Sequence, residues 1–328
     1  MVFVFLFVLI ILCFWVYRLY VDFLGYRVRQ YIREDAPEHH KFKGGTPTAG
    51  GVVFTFFIII FSFLVNFYYS IPLFEVFIIL LFGSFFIGFY DDLMKILNRR
   101  NLGIRARDKL FFQFIISLIV FVLMKFNNDY FLGNFSVNFS SLIFHDNVVE
   151  LGWFYLVFLY FLVAGVSNST NLTDGLDGLL GSLSVFTLLG FLLVFVLFGN
   201  LALVYLVLGV IGFILVFLYY NLPKAKIFMG DSGSMVIGAL FVYFSIILKL
   251  EAYFLFLGYL YFLVALSVIL QVLYFKITKG RRLFNFTPLH HHFEMMGYSE
   301  KDILKRFNFV NLVFILIGLF FVVLKLYT

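Results

Sequence analysis

Long apolar runs, broken by short polar stretches, dominate the chain. A bilayer-spanning helix needs about 20 mostly apolar residues. Such runs recur at 2–24, 49–69, 75–91, 110–127, 151–168, 178–198, 201–220, 233–250, 253–275 and 306–327. The pattern predicts an all-α polytopic membrane protein with about ten transmembrane helices. Only Gly199-Asn200 separates the runs at 178–198 and 201–220, which reads as a tight turn. The first run, Met1 to Tyr20, has no basic residue ahead of it and no small-residue cleavage site. It is therefore expected to stay as a helix with its N-terminus outside, not to be removed as a signal peptide.

Ten spans leave both termini on one side and define five loops on the opposite face, at 25–48, 92–109, 169–177, 221–232 and 276–305. With Arg306 at the mouth of the last span, these loops hold 20 of the 24 Lys and Arg residues. The bias assigns them to the cytoplasm and both termini to the extracytoplasmic side. Composition agrees: 63% hydrophobic and only 13% charged residues exclude a soluble globule of 328 residues. The net charge of +6 then marks the cytoplasmic face and membrane lipids, not a nucleic-acid partner. A single cysteine, Cys13, excludes an intramolecular disulfide and a cysteine metal cluster. No repeat or linker divides the chain, so 1–328 is expected to be one transmembrane domain. The long loop at 128–150 falls on the extracytoplasmic side and is expected to lie along the membrane surface.

Five polar groups all fall on the predicted cytoplasmic face. In Gly88-Phe-Tyr-Asp-Asp-Leu-Met-Lys95, two adjacent carboxylates follow an apolar run. Like charges this close resist joint ionisation, so Asp91 and Asp92 suit a general base or a cation site. Lys95 stands one turn from Asp91, and a helix-end ion pair is the plainer reading. In Asn168-Ser-Thr-Asn-Leu-Thr-Asp-Gly-Leu-Asp-Gly178, the residues Asn171, Asp174 and Asp177 recur every three positions. That spacing would put them on one side of a helical turn. In Asn221-Leu-Pro-Lys-Ala-Lys-Ile-Phe-Met-Gly-Asp-Ser-Gly-Ser234, Pro223 ends a helix and Asp231 stands near the start of the next. An acid at a glycine-bearing helix start, near Lys224 and Lys226, suits Mg²⁺ bridged to phosphates.

Pro288-Leu-His-His-His-Phe-Glu294 carries His290, His291 and His292 in succession. Consecutive helical residues point in different directions, so phosphate contacts or proton handling fit better than one shared zinc ion. Lys41-Phe-Lys-Gly-Gly-Thr-Pro-Thr-Ala-Gly-Gly51 is basic and glycine-rich but lacks the Gly-Lys-Ser/Thr ending of a P-loop.

These segments, in this order, resemble the phospho-N-acetylmuramoyl-pentapeptide-transferase family over essentially the whole chain. The resemblance rests on Lys43–Gly51, Asp91-Asp92, Asn171–Gly178, Phe228–Ser234 and Pro288–Glu294. The triple histidine separates this family from relatives that use UDP-N-acetylglucosamine. Departures are small: Ala49 where Met is frequent, Ser169-Thr170 for Ala-Val, and Ser232 where Thr is common. The resemblance implies a ten-helix bundle, a homodimer and a requirement for Mg²⁺. The implied reaction joins UDP-N-acetylmuramoyl-pentapeptide to undecaprenyl phosphate, giving lipid I and UMP at the cytoplasmic side of the bacterial inner membrane.

By similarity, Asp231 is the expected Mg²⁺ ligand, and Asp91 and Asp92 form the polyprenyl-phosphate end. One of that pair is a base for the lipid phosphate, or else a nucleophile forming a covalent phospho-sugar. Asn171, Asp174 and Asp177 are expected to shape the uridine end, with Phe228 facing uracil. Lys43 and Lys109 are candidate phosphate partners, Thr46, Lys95 and Asn168 further substrate-binding residues, Gln271 a hydrogen-bond partner of substrate, and the histidines contacts for pyrophosphate or sugar. A sister transferase acting on UDP-N-acetylglucosamine is the nearest rival. A transporter or flippase for a lipid-linked anion is a rival from another class, and would more naturally place its polar site at the bilayer midplane.

Overall fold

The computed structural model describes residues 1–24, 45–100, 102–127, 136–138 and 148–327. The helices are α1 (Val2–Leu19, continued by a π-helical turn at Tyr20–Leu24), α2 (Gly51–Tyr69), α3 (Phe74–Leu97) and α4 (Ala106–Phe126). A two-stranded antiparallel ribbon follows, β1 (Ser136–Asn138) and β2 (Val148–Glu150), with Ser136 opposite Glu150. Then come α5 (Tyr155–Thr173), α6 (Leu179–Leu197), α7 (Leu201–Asn221), α8 (Asp231–Ile247), α9 (Phe254–Leu257), α10 (Tyr259–Ile277), α11 (Leu289–Met295) and α12 (Glu300–Tyr327).

Among the described residues nine helices are long and apolar enough to cross a membrane, and α8, at 17 residues, supplies the remaining expected span. The protein is an all-α polytopic membrane protein. Every residue of α8 is buried. A helix covered on all sides is an interior element, and α8 packs against α2, α3 and α5. Its small residues allow this. The added methyl of an alanine at position 238 would lie 2.6 Å from the Ser167 Cα of α5. Between membrane helices such close packing, not water exclusion, supplies the attraction.

Three boundaries differ from the sequence expectation. Helix α3 runs on to Leu97, so Asp91, Asp92 and Lys95 sit on its last turns and the loop begins later than 92. The i,i+4 pair of Lys95 with Asp91, 2.7 Å apart, stabilises that extension. Helix α5 continues through the polar stretch to Thr173. Its hydroxyls bond back along the helix, Ser169 Oγ to the Gly165 carbonyl at 2.6 Å and Thr173 Oγ1 to the Ser169 carbonyl at 2.7 Å. Polar residues satisfied in this way need not leave a helix. The run at 253–275 is divided at Gly258 into α9 and α10.

The ribbon belongs to the expected extracytoplasmic loop, most of which lies outside the described residues. Val137 is buried, and Lys249 Nζ donates to the Ser136 carbonyl at 3.1 Å, tying the ribbon to the chain after α8. Tyr155 donates to Glu251 at 2.9 Å at the same end of the bundle.

Candidate active site

At the opposite end, the C-terminal turns of α3 and α5 meet the N-termini of α4 and α8. Asp91 and Asp92 are 1% and 3% exposed and Asp231 is 8% exposed, so these acids are not the solvated cap of a helix end. One ligand oxygen from each lies within 4.8 Å of the others.

Two ammonium groups hold this charge together. Lys95 Nζ lies 2.7 Å from Asp91 Oδ2 and 2.7 Å from Asp231 Oδ1. Lys109 Nζ lies 3.0 Å from Asp91 Oδ1 and 2.6 Å from Asp231 Oδ2. Asn171 Nδ2 donates to Asp231 Oδ2 at 3.0 Å. Buried carboxylates this close persist only when opposite charge and hydrogen bonds compensate them.

The adjacent acids have different partners. Asp92 accepts the backbone N–H groups of Asp231 at 3.0 Å and Ser232 at 2.9 Å, which makes it a cap for α8 supplied from another helix. Gly230, at φ +74°, turns the chain so that both N–H groups reach it. Asp91 instead accepts the Ile104 N–H at 2.9 Å, from the segment before α4.

The glycine-rich first motif joins the third through its backbone. Gly50 N–H donates to the Phe228 carbonyl and Gly51 N–H to the Met229 carbonyl, both at 2.9 Å, and Phe228 N–H to the Pro47 carbonyl at 2.8 Å. Tyr17 and Tyr20 of the first helical segment donate to the Gly50 and Thr48 carbonyls at 2.7 and 2.9 Å. Phe228 and Thr46 are half-buried beside this junction. Lys43 lies outside the described residues.

Asn171, Asp174 and Asp177 do not share a helical face, because α5 stops at Thr173. Asn171 reaches Asp231, while Asp177 accepts the Ala225 N–H at 3.0 Å. Asp174 lies between them, half-buried. Burial, and then the nearby Asp231 and Asp92 carboxylates, push its carboxyl up to about 8, against the pull of Lys95. Asn168 turns into the bundle, donating to Gln113 Oε1 at 3.2 Å and the Ala164 carbonyl at 2.7 Å.

The three histidines have three environments. His290 is fully buried against Gly175, where an added methyl would come within 2.9 Å of its Cε1, so α11 is docked on the Asp174–Asp177 loop. His291 Nδ1 pairs with Glu294 Oε2 at 2.5 Å. His292 Nδ1 accepts the Asn285 N–H at 3.2 Å, which leaves its proton on Nε2. Gln271 Oε1 accepts the Leu283 and Phe284 N–H groups at 3.0 and 2.9 Å, so it orders the loop leading to α11. Lys224 and Lys226 are exposed.

Sequence reasoning assigned no role to Asn221 or Glu294. Asn221 accepts the Gly178 N–H at 3.0 Å and donates to the Ile227 carbonyl at 2.8 Å, bracing two site loops. A polar residue at the end of the apolar α7 was the available signal. Glu294 was visible only as the residue one helical turn after His291.

Residues 73–249 match the family described as Glycosyl transferase family 4. A phospho-N-acetylmuramoyl-pentapeptide-transferase of Rickettsia prowazekii is 39% identical over 310 residues, covering 88% of this chain and 83% of the relative. Its counterpart in Listeria monocytogenes is 37% identical over 301 residues, covering 90% of each. The chain belongs to the phospho-N-acetylmuramoyl-pentapeptide-transferase family. A counterpart in Oceanobacillus iheyensis, 36% identical over 89% of this chain, carries the same name. Membership of this transferase family places the chain in peptidoglycan synthesis and makes the acid–lysine cluster its candidate reaction centre. The match to residues 73–249 includes Asp91, Asp92, Lys95, Lys109, Asn171 and Asp231, though not the histidine helix α11.

The cluster has the donors a hard divalent cation requires. Carboxylate oxygens are the preferred ligands of Mg²⁺, which keeps several waters and needs only one or two acids. Both oxygens of Asp92 are committed to backbone N–H groups, whereas Asp231 is held through side chains alone. Among the described residues the three acids together form the candidate cation site.

Proposed function

We propose that this enzyme transfers phospho-N-acetylmuramoyl-pentapeptide from its UDP carrier to undecaprenyl phosphate, with Mg²⁺, at the cytoplasmic face of the bacterial inner membrane. The observation that carries this reading is the one buried cluster, among the described residues, of three acids and two lysines at one end of the bundle. The Lys and Arg bias of the loops supports a cytoplasmic position for that end. A water-soluble nucleotide and a lipid can meet there.

The transfer forms one bond and breaks one. An oxygen of the acceptor phosphate bonds to the sugar-linked phosphorus. The bond from that phosphorus to the bridging oxygen breaks, and its electron pair leaves with UMP. Negative charge on phosphate is the main obstacle, so positioning and electrostatics dominate catalysis. Asp231 would hold the cation, which would neutralise the pyrophosphate and the departing UMP. Lys95 and Lys109 supply further positive charge at the same place. Asp91 or Asp92 takes the proton of the acceptor phosphate; Asp92 also caps α8, and Asp91 also holds both lysines. Asp174, Asp177, Asn171 and Phe228 line the nucleotide end. His291, oriented by Glu294, faces the pyrophosphate or sugar.

The test is UMP release by the purified enzyme with undecaprenyl phosphate and Mg²⁺. Release is expected with UDP-N-acetylmuramoyl-pentapeptide. Consumption of UDP-N-acetylglucosamine alone would overturn the substrate assignment. Asp231→Asn should fold normally and lose at least about a hundredfold in turnover. Near-normal turnover of that variant would show the metal assignment to be misplaced.

A further inference from the structure

We propose that Lys95 and Lys109 are exchangeable counter-ions: they release Asp231 when a divalent cation binds it, and then turn to the phosphate oxygens of the nucleotide substrate. The proposal rests on Asp231 being the metal ligand.

The three acids differ in how they are held. Asp92 is fixed by two backbone N–H groups, and Asp91 by the Ile104 N–H together with the lysines. Among the described residues the Asp231 carboxylate has only side-chain partners: Lys95 on Oδ1 at 2.7 Å, with Lys109 at 2.6 Å and Asn171 at 3.0 Å on Oδ2. Its carboxylate can therefore be handed over without breaking a backbone hydrogen bond.

Asp231 Oδ2 already accepts two donors, and a cation on either oxygen would crowd the ammonium group held there. Repulsion acts in the same direction. Three carboxylates against two ammonium groups leave a net charge of −1, and a dication changes that to +1. The excess is relieved when the lysines swing away or meet new anions.

The lysines have somewhere to go. The Lys95 side chain is 30% exposed and that of Lys109 15%, whereas the acids they bind are nearly closed off. Each ammonium carries three donors on a flexible stem, so it can leave one anion for another. The pyrophosphate of a nucleotide sugar, drawn to the same metal, presents such anions. In this arrangement the lysines keep Asp91 and Asp231 from repelling each other before the metal arrives. Afterwards they pass their charge to the substrate, and metal binding and lysine release are thermodynamically linked.

The experiment uses the purified full-length enzyme in detergent micelles. An amine-acylating reagent is applied with and without Mg²⁺, with no nucleotide present, and modification is read residue by residue by mass spectrometry. Mg²⁺ should raise labelling of Lys95 and Lys109 severalfold and leave Lys224 and Lys226 unchanged. Adding UDP together with Mg²⁺ should protect the first two again. In parallel, Mn²⁺ binding is followed by electron paramagnetic resonance. Lys109→Gln should bind Mn²⁺ about tenfold more tightly than the wild type, while Lys109→Arg, which keeps the charge, should not. No rise in labelling at either lysine, while Mn²⁺ binds the wild type but not Asp231→Asn, would overturn the exchange and leave the metal assignment standing. Mn²⁺ binding that ignores Asp231→Asn would overturn both. The labelling arm needs no variant, so it decides the matter even if Lys109→Gln does not fold.

Discussion

The substitution Gly88→Ala tests whether the reaction centre depends on the close approach of α3 to the start of α8. Gly88 stands one turn before Asp91 and Asp92. A methyl group there would lie 2.5 Å from the Asp231 carbonyl carbon and 2.7 Å from the Ser232 nitrogen, and nearer still to the Asp231 carbonyl oxygen. Ordinary contact begins near 3.4 Å. The clashing atoms are all backbone, so no side-chain rotation relieves them, and the two helices must separate locally by about 1 Å. The bonds from Asp92 to the Asp231 and Ser232 N–H groups, now 3.0 and 2.9 Å, would then pass beyond hydrogen-bond length. Overpacking costs about 1–3 kcal/mol and a lost cap about 1 kcal/mol. A displacement of about 1 Å among reacting groups costs about a hundredfold in rate. The same change at Gly83, on the same helix, meets only the flexible Ile116 side chain and serves as the control. UMP release and thermal unfolding of both variants form the assay. The reasoning fails if Gly88→Ala retains activity comparable to that of Gly83→Ala.

Two further substitutions probe the surroundings of the acids. Asp174 has its carboxyl pushed up to about 8, so the unfolded chain loses that proton at lower pH than the folded one. Stability from this group is therefore full below the unfolded value of about 4 and is lost as pH rises toward 8. Asp174→Asn should gain stability relative to the wild type across that window and level off above it. Melting temperatures measured in a chelating buffer at several pH values check this, and a difference flat with pH would refute it. Glu294→Gln removes the charge that holds His291 Nδ1. It should lower kcat/KM by about tenfold, the equivalent of about 1.5 kcal/mol for a hydrogen bond to a charged group, with little change in melting temperature. Unchanged kinetics would show that the pair is not needed to orient the ring.

The membrane fold was legible because its signal is hydropathy over about 20 residues, which local detail does not disturb. The expected runs therefore correspond to helices, with their ends moved and the run at 253–275 divided at Gly258. The ends moved where polar residues were satisfied inside a helix. Lys95 answers Asp91, and the hydroxyls of Ser169 and Thr173 bond back along α5. A reading that treats polarity as a loop signal stops too soon at such places. At the site, residue type was readable and partnership was not. Asp91, Asp92 and Asp231 were selected as acids in polar gaps, but 139 and 140 residues separate Asp92 from the two N–H groups it caps. No local pattern encodes that pairing. The three-residue recurrence of Asn171, Asp174 and Asp177 suggested a shared face, yet the helix ends between the first two. Gln271 looked like a substrate contact because a polar residue near a span end invites that reading. The partners of its Oε1 lie 12 and 13 residues ahead, in the loop after its helix, a pairing that the sequence did not reveal.

The adjacent acids of α3 show how the fold divides chemical labour. Consecutive helical residues point about 100° apart, so Asp91 and Asp92 take different backbone partners, although Lys95 lies 2.7 Å from one and 3.9 Å from the other. Asp91 turns toward Ile104 and Lys109 at the start of α4, and Asp92 toward the start of α8. Asp92 thereby fixes the first residue of the helix that carries Asp231. Its role is to position Asp231, and it exerts that role through backbone bonds that a side-chain substitution on α8 would leave intact. Asp91 is joined to Asp231 only through the two lysines, which makes it the more responsive member of the pair. A site built this way would keep the proposed metal-binding acid in a fixed place while the lysines around it rearrange, as proposed above. Phosphoryl transfer needs that combination, because negative charge must be met at one position before the acceptor attacks and at another as UMP departs.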